Sequence, residues 1–133
     1  MANLWTPEAS KLLLDTNVLV WWVAGSSRLS LSARRTIQGA HAVYISAATA
    51  WEIATKAHQG KLEFDGDLLE EIKASGFQPL AIHIGHAIAA AILPMHHRDP
   101  FDRMLVAQAQ MESLTLVTAD RHLKSYNVDV LLI

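Results

Sequence analysis

Four acids occupy positions where a carboxylate has chemistry open to it. Asp15 ends the apolar run Lys11–Leu14, Glu52 lies early in an alanine-rich stretch, Asp102 follows Asp99-Pro100, and Asp120 follows the apolar run 114–118. Were all four to converge, each pair at about 5 Å would repel by roughly 3 kcal/mol at an effective dielectric near 20. Such a cluster requires a cation or protons. The chain has no Cys, and its seven His show no regular ligand spacing, so the donors on offer are oxygens. Oxygen donors suit a hard ion, Mg²⁺ or Mn²⁺. Ions of this kind polarise phosphoryl oxygens and acidify water, which is what phosphodiester hydrolysis needs.

Taken singly, each acid also has an ordinary structural reading. Asp15 can cap the helix after it, and Glu52 can pair with Lys56 one helical turn on. Asp102 can complement a helix dipole, and Asp120 can serve a turn.

The elements that must position these acids follow from hydrophobic periodicity and punctuation. Residues 11–14 read as a strand, and 16–24 as a helix closed at Gly25. A helix over 31–38 takes Ser30 as N-cap and Gly39 as stop, followed by a strand over 42–45. Ser46 caps a helix through 59, with Gly60 as its left-handed stop. A helix over 67–75, a strand over 80–82 and an alanine-rich helix over 86–93 ended by Pro94 come next. Asp99 as N-cap with Pro100 at the first helical position starts a helix to about 112. A strand over 114–118, one helical turn from Asp120 and a final strand over 128–133 close the chain. Alternating strands and helices imply a mostly parallel sheet covered on both faces.

Ligands in such sheets bind beyond the carboxyl ends of the strands. Asp15, Asp120 and Glu52 fall there by position. Asp102 opens a helix that feeds a strand, and spacing alone does not bring it to that edge.

At 133 residues, 51% hydrophobic and 18% charged, with no linker-like or low-complexity tract, the chain reads as a single domain over 1–133. Its apolar stretches are too short to span a bilayer. The N-terminus lacks a basic segment followed by an apolar run, so no secretory signal is expected and a cytoplasmic location is. Charge is nearly balanced, 11 Lys and Arg against 13 Asp and Glu, which is not the basic footprint of a strong non-specific nucleic-acid binder. Much of the acidity is nonetheless local, between Glu63 and Glu71, while Arg98, Arg103, Arg121 and Lys124 lie around two of the candidate acids.

Four ordered blocks carry a resemblance. They are Leu12-Leu13-Leu14-Asp15-Thr16-Asn17-Val18-Leu19; Ile45-Ser46 followed by Trp51-Glu52-Ile53 and Gly60-Lys61-Leu62; His97-Arg98-Asp99-Pro100-Phe101-Asp102-Arg103-Met104-Leu105; and Leu116-Val117-Thr118-Ala119-Asp120. Together they resemble the PIN-domain ribonucleases, specifically the VapC-type toxins of type II toxin-antitoxin systems. The resemblance implies a three-layer α/β/α sandwich with a sheet of about five strands. It further implies an endoribonuclease toxin, blocked by a cognate antitoxin and usually a homodimer.

Carried onto this chain, the family pattern makes Asp15, Glu52, Asp102 and Asp120 the catalytic and metal-binding set, holding one or two Mg²⁺ or Mn²⁺ ions. Thr16, Asn17, Ser46 and Thr118 are similar to polar residues around the family's site, with capping as the equal alternative. Many relatives have His where this chain has Asn17. The pattern places the site acid directly before Arg103, which leaves Asp99 as a helix cap. Arg98 and Arg103 are candidates for RNA phosphates or for offsetting nearby acids.

His96 and His97 are set aside as ligands, because adjacent residues at a helix entry point apart. Trp21, Trp22 and Trp51 read as core or subunit-interface aromatics rather than base-stacking platforms. Two other functions compete. An aspartyl-phosphate phosphotransferase usually needs a second Asp at position 17, where Asn17 stands. A catalytically degenerate nucleic-acid- or antitoxin-binding module would be expected to have lost at least one of the four acids.

Overall fold

The computed structural model describes residues 10–133, so the N-terminal stretch read for a signal lies outside the described residues. Five strands, β1 (Lys11–Leu14), β2 (Ala42–Ser46), β3 (Gln78–Leu80), β4 (Thr115–Thr118) and β5 (Val130–Leu132), form an all-parallel sheet in the order β3-β2-β1-β4-β5. Among the described residues six helices join them: α1 (Thr16–Ala24), α2 (Leu31–Gly39), α3 (Ala47–His58), α4 (Leu68–Ala74), α5 (Ile84–Ala91) and α6 (Pro100–Glu112). A 3₁₀ turn spans Arg121–Ser125.

The central strand explains the three layers. Leu12, Leu13 and Leu14 are all fully buried, as a parallel strand covered on both faces must be. Leu12 and Leu14 pack with Val18, Leu19, Ile37, Ile53 and Ile72 of α1 to α4. Leu13 faces the other way, onto Leu105, Val106 and Ala109 of α6 and onto Leu123 and Tyr126. Helix α5 packs on α6. Two apolar clusters on opposite faces of one sheet make the expected α/β/α sandwich.

The expected caps stand where local chemistry put them. Ser30, Ser46 and Asp99 accept from first-turn N–H groups, and Gly60 holds φ 73°, the left-handed stop; Asp67, read as the first residue of a helix, is instead the N-cap of α4. Several boundaries differ, the last strand among them, at Val130–Leu132 rather than 128–133. Gly39 is the last residue of α2 rather than its stop, and Ala40 follows in extended backbone. Helix α5 begins two residues early, where the backbone N–H of His83 donates to His86 Nδ1 at 3.0 Å. Strand β3 lies at 78–80 rather than 80–82, because it is an edge strand where Pro79 needs no ladder donor on its outer side.

Trp21 and Trp22 are partly buried against the first core cluster. Trp51 is 66% exposed, edge-on to Phe101 with ring centroids 5.3 Å apart, so it is no core residue.

Candidate active site

Strand order reverses direction between β1 and β4: the chain builds outward from β1 through β2 to β3, then returns to the other side of β1 for β4 and β5. That switch point is where loops diverge and leave a crevice at the carboxyl edge. Leu14 pairs with Val117, so the next residues on each strand, Asp15 and Thr118, meet side by side.

Asp15 caps α1, its Oδ1 accepting from the Val18 N–H at 2.9 Å. Its other oxygen accepts from the Thr118 hydroxyl. The carboxyl is buried, and burial pushes its pKa up against the opposing pull of the Thr118 and Val18 hydrogen bonds, with Asp120 and Glu52 adding repulsion. Thr118 Oγ1 also accepts from the Asp120 backbone N–H at 3.0 Å. One hydroxyl thus ties together the acids that follow two neighbouring strands.

Asp120 Oδ1 accepts from the His122 N–H at 2.9 Å and faces His122 Nδ1 at 2.9 Å. Its Oδ2 faces His97 Nε2 at 3.1 Å, and the same Nε2 lies 3.3 Å from Asp102 Oδ2. For Asp120, burial works upward but the His122 and His97 contacts outweigh it, and the carboxyl is held below its ordinary value. Asp102 behaves oppositely. Burial first, then the negative charge of Asp99, pushes it up to about 7.

Glu52 is buried on α3, accepting from Thr16 Oγ1 at 2.6 Å and from Lys56 Nζ at 2.6 Å. The helical-pair reading of Glu52 therefore holds as far as it goes. Its negative charge also acts on Asp15 and Asp102. Lys56 is raised above its ordinary value, chiefly by the Glu52 hydrogen bond.

The supporting residues divide. Thr16 and Thr118 hold acids directly. Ser46 is fully buried and caps α3 through the Ala48 N–H, its local role. Asn17 is exposed. Asp99 caps α6 through the N–H groups of Phe101 at 2.8 Å and Asp102 at 3.2 Å, as its spacing predicts.

Arg98 is exposed. Arg103 corrects an expectation: read as a phosphate candidate, it is 7% exposed, with its guanidinium donating to the carbonyls of Ala90, Ala91, Leu93, Pro94 and His97. It closes the carbonyl end of α5 and anchors the loop after it, so no fork is free for a phosphate.

His97 is the residue the sequence argument set aside and the fold brings in. His96 and His97 do point apart: the His96 ring packs edge-on to Tyr126 at 5.0 Å, while His97 reaches the acids. Divergence of the two neighbours leaves His97 free to face the start of α6, but its partner Asp120 lies 23 residues on, and no local spacing marks that contact. Donor atoms of His97, Asp102 and Asp120 all lie within 4.8 Å of one another.

The donor set fits a hard divalent cation. Carboxylates gather from the ends of β1 and β4 and the start of α6; burial raises both Asp15 and Asp102, with Asp120 and Glu52 repelling the first and Asp99, Asp15 and Glu52 the second. A cluster that holds protons this tightly offers the same oxygens to a metal.

Residues 12–128 match the PIN domain family. Ribonuclease VapC22 of Mycobacterium tuberculosis is 31% identical over 122 residues, covering 86% of this chain and 91% of that protein. Among solved structures, VapBC2 from Rickettsia felis bound to a promoter DNA fragment superposes with a TM-score of 0.67 at 13% identity, covering 92% of this chain and 98% of that one. A toxin-antitoxin complex from Klebsiella pneumoniae gives 0.66 at 20% identity, with 90% and 95% covered. At those identities the two structures speak to the fold.

Proposed function

Because the chain belongs to the PIN domain family, we propose that it is a divalent-metal-dependent endoribonuclease acting as the toxin of a toxin-antitoxin pair. The observation that carries this reading is the chain of contacts Asp15–Thr118–Asp120–His97–Asp102 at the switch point of the sheet. Its relative is named a ribonuclease, and the Klebsiella pneumoniae structure is a toxin-antitoxin complex.

Asp15, Asp102 and Asp120 would hold Mg²⁺ or Mn²⁺, with Glu52 completing the set. The ion would supply Lewis-acid stabilisation of charge developing on the phosphoryl oxygens and the leaving oxygen. Thr118 keeps the Asp15 carboxylate aimed and ionisable, and the Val18 N–H fixes its second oxygen. Thr16 fixes one Glu52 oxygen. A Glu held at the margin of the cluster suits orientation or deprotonation of an attacking water.

The proposed partners are RNA, a cognate antitoxin and a second copy of the chain. Protein partners are supported by exposed apolar side chains, notably Ile84, Ile88 and Ile92, one helical turn apart along α5 and 81, 61 and 79% exposed. No helix among the described residues is long and apolar enough to cross a membrane. We take the whole of 1–133 as one domain and its location as cytoplasmic.

The test is cleavage of single-stranded and structured RNA by the purified chain freed of antitoxin. Mg²⁺ or Mn²⁺ should be required, and Asp15→Asn and Asp102→Asn should be folded yet at least about 100-fold slower. Equal cleavage by the Asn variants would reject the site.

A further inference from the structure

His97 stands between two acids from different elements, and its own second nitrogen is already committed. The backbone N–H of Asp99 donates to Nδ1 at 3.1 Å, so Nδ1 must carry the lone pair and the ring proton must sit on Nε2. Nε2 is the nitrogen that faces Asp120 Oδ2 at 3.1 Å and Asp102 Oδ2 at 3.3 Å. Asp120 therefore meets a donor there, with Asp102 Oδ2 beside it, and neither faces a metal-ligating lone pair.

The ring's place is built rather than incidental. The Tyr126 hydroxyl accepts from the His97 backbone N–H at 2.9 Å and donates to the Pro94 carbonyl at 2.8 Å. Arg103 Nη1 donates to the Pro94 and His97 carbonyls at 3.1 and 3.3 Å. Tyr126 is 4% exposed, so this segment is clamped from below by a buried phenol and a buried guanidinium.

We propose that His97 is a positioning residue: its Nε2–H, latched by the Asp99 N–H on Nδ1, donates to Asp120 Oδ2 beside Asp102 Oδ2 and so sets the relative position of the two carboxylates that would hold a cation. This rests on the metal-dependent reading above, and concerns a residue outside the four-acid set. The ring cannot ligate the ion through Nε2 without moving its proton to Nδ1 and breaking the Asp99 bond. Partners that hold metal-binding groups in this indirect way change metal affinity by about 10- to 100-fold when removed.

Mn²⁺ binding to the full chain, freed of antitoxin, separates the possibilities. His97→Ala should bind Mn²⁺ about tenfold or more weakly than the native chain, with an unchanged thermal midpoint in chelator showing that it is folded. His97→Gln, whose amide N–H₂ reaches the place of Nε2, should come back to within about threefold, while His97→Asn, whose amide stops short, should behave like Ala. In ¹⁵N spectra of the metal-free native protein, the tautomer of His97 should be the one protonated on Nε2, and it should remain so in Mg²⁺.

Equal or tighter Mn²⁺ binding by His97→Ala would overturn the proposal, the ring then being a plug in the site. The tautomer protonated on Nδ1 would overturn it too. Failure of the metal reading itself has a different signature: no Mn²⁺ binding by the native chain, or undiminished binding by Asp15→Asn. In that event the tautomer in the metal-free protein still decides the role of His97.

Discussion

The Thr118 hydroxyl donates to Asp15 while accepting from the backbone N–H of Asp120, so one atom couples the acid after β1 to the acid after β4. Removing it while keeping the shape should separate positioning from packing. Thr118→Val should slow RNA cleavage by roughly 10- to 100-fold, with Thr118→Ser largely restoring it. Both should be measured as single-turnover rates at saturating Mg²⁺. If Val matches the native rate, the hydroxyl is a strand-end cap and nothing more.

Glu52 has two partners, and they can be tested apart. Lys56 is about half exposed, so Lys56→Gln should cost under about 1 kcal/mol of stability and leave cleavage within about threefold. Glu52→Gln keeps the helix but removes the charge near Asp15 and Asp102, and should slow cleavage more than tenfold. Equal effects from the two substitutions would reduce Glu52 to a helix salt bridge.

Stability should depend on pH and metal together. Asp102 titrates near 7 in the fold against an ordinary 3.8, so it binds its proton more tightly when folded. Its stabilisation is complete below the ordinary value and is lost as pH rises toward 7, with Asp15 acting in the same direction. A metal competes for those proton sites. In chelator, the thermal midpoint should therefore carry a contribution that declines between pH 4 and 7 from these two acids. The rise produced by 10 mM Mg²⁺ should be several degrees at pH 8 and much smaller at pH 5.5. A metal-induced shift independent of pH would place the ion away from Asp102.

Arg103 should behave as a fold residue. Arg103→Lys keeps the charge but loses the planar fork that serves five carbonyls, and should cost about 2 to 4 kcal/mol in denaturant unfolding. If stability is unchanged and only the RNA KM rises, the guanidinium contacts substrate instead.

Local chemistry was legible in the sequence. Asp99 with Pro100 fixed the start of α6 because a cap and a preset φ act within four residues, and the alternation of elements implied a parallel sheet covered on both faces. The positions of Asp15 and Asp120 at strand ends followed from the same reading. Contacts across the fold were not legible. The chemistry of Arg103 is an interaction with carbonyls 6 to 13 residues back, and that of His97 reaches 23 residues ahead to Asp120; neither leaves a local pattern. Strand β3 was misplaced because Pro79 reads as a strand breaker until its edge position is known.

The bond between Thr118 and Asp15 closes a loop of 103 positions, with β4 beside β1 and with β2 and β3 on the opposite side of the sheet. A chain emerging from the ribosome carries Asp15 and Glu52 long before it carries Asp102, Thr118 or Asp120. Half-made copies thus hold isolated acids and no cluster. Under the proposed function, a complete site would exist only once β4 has docked beside β1.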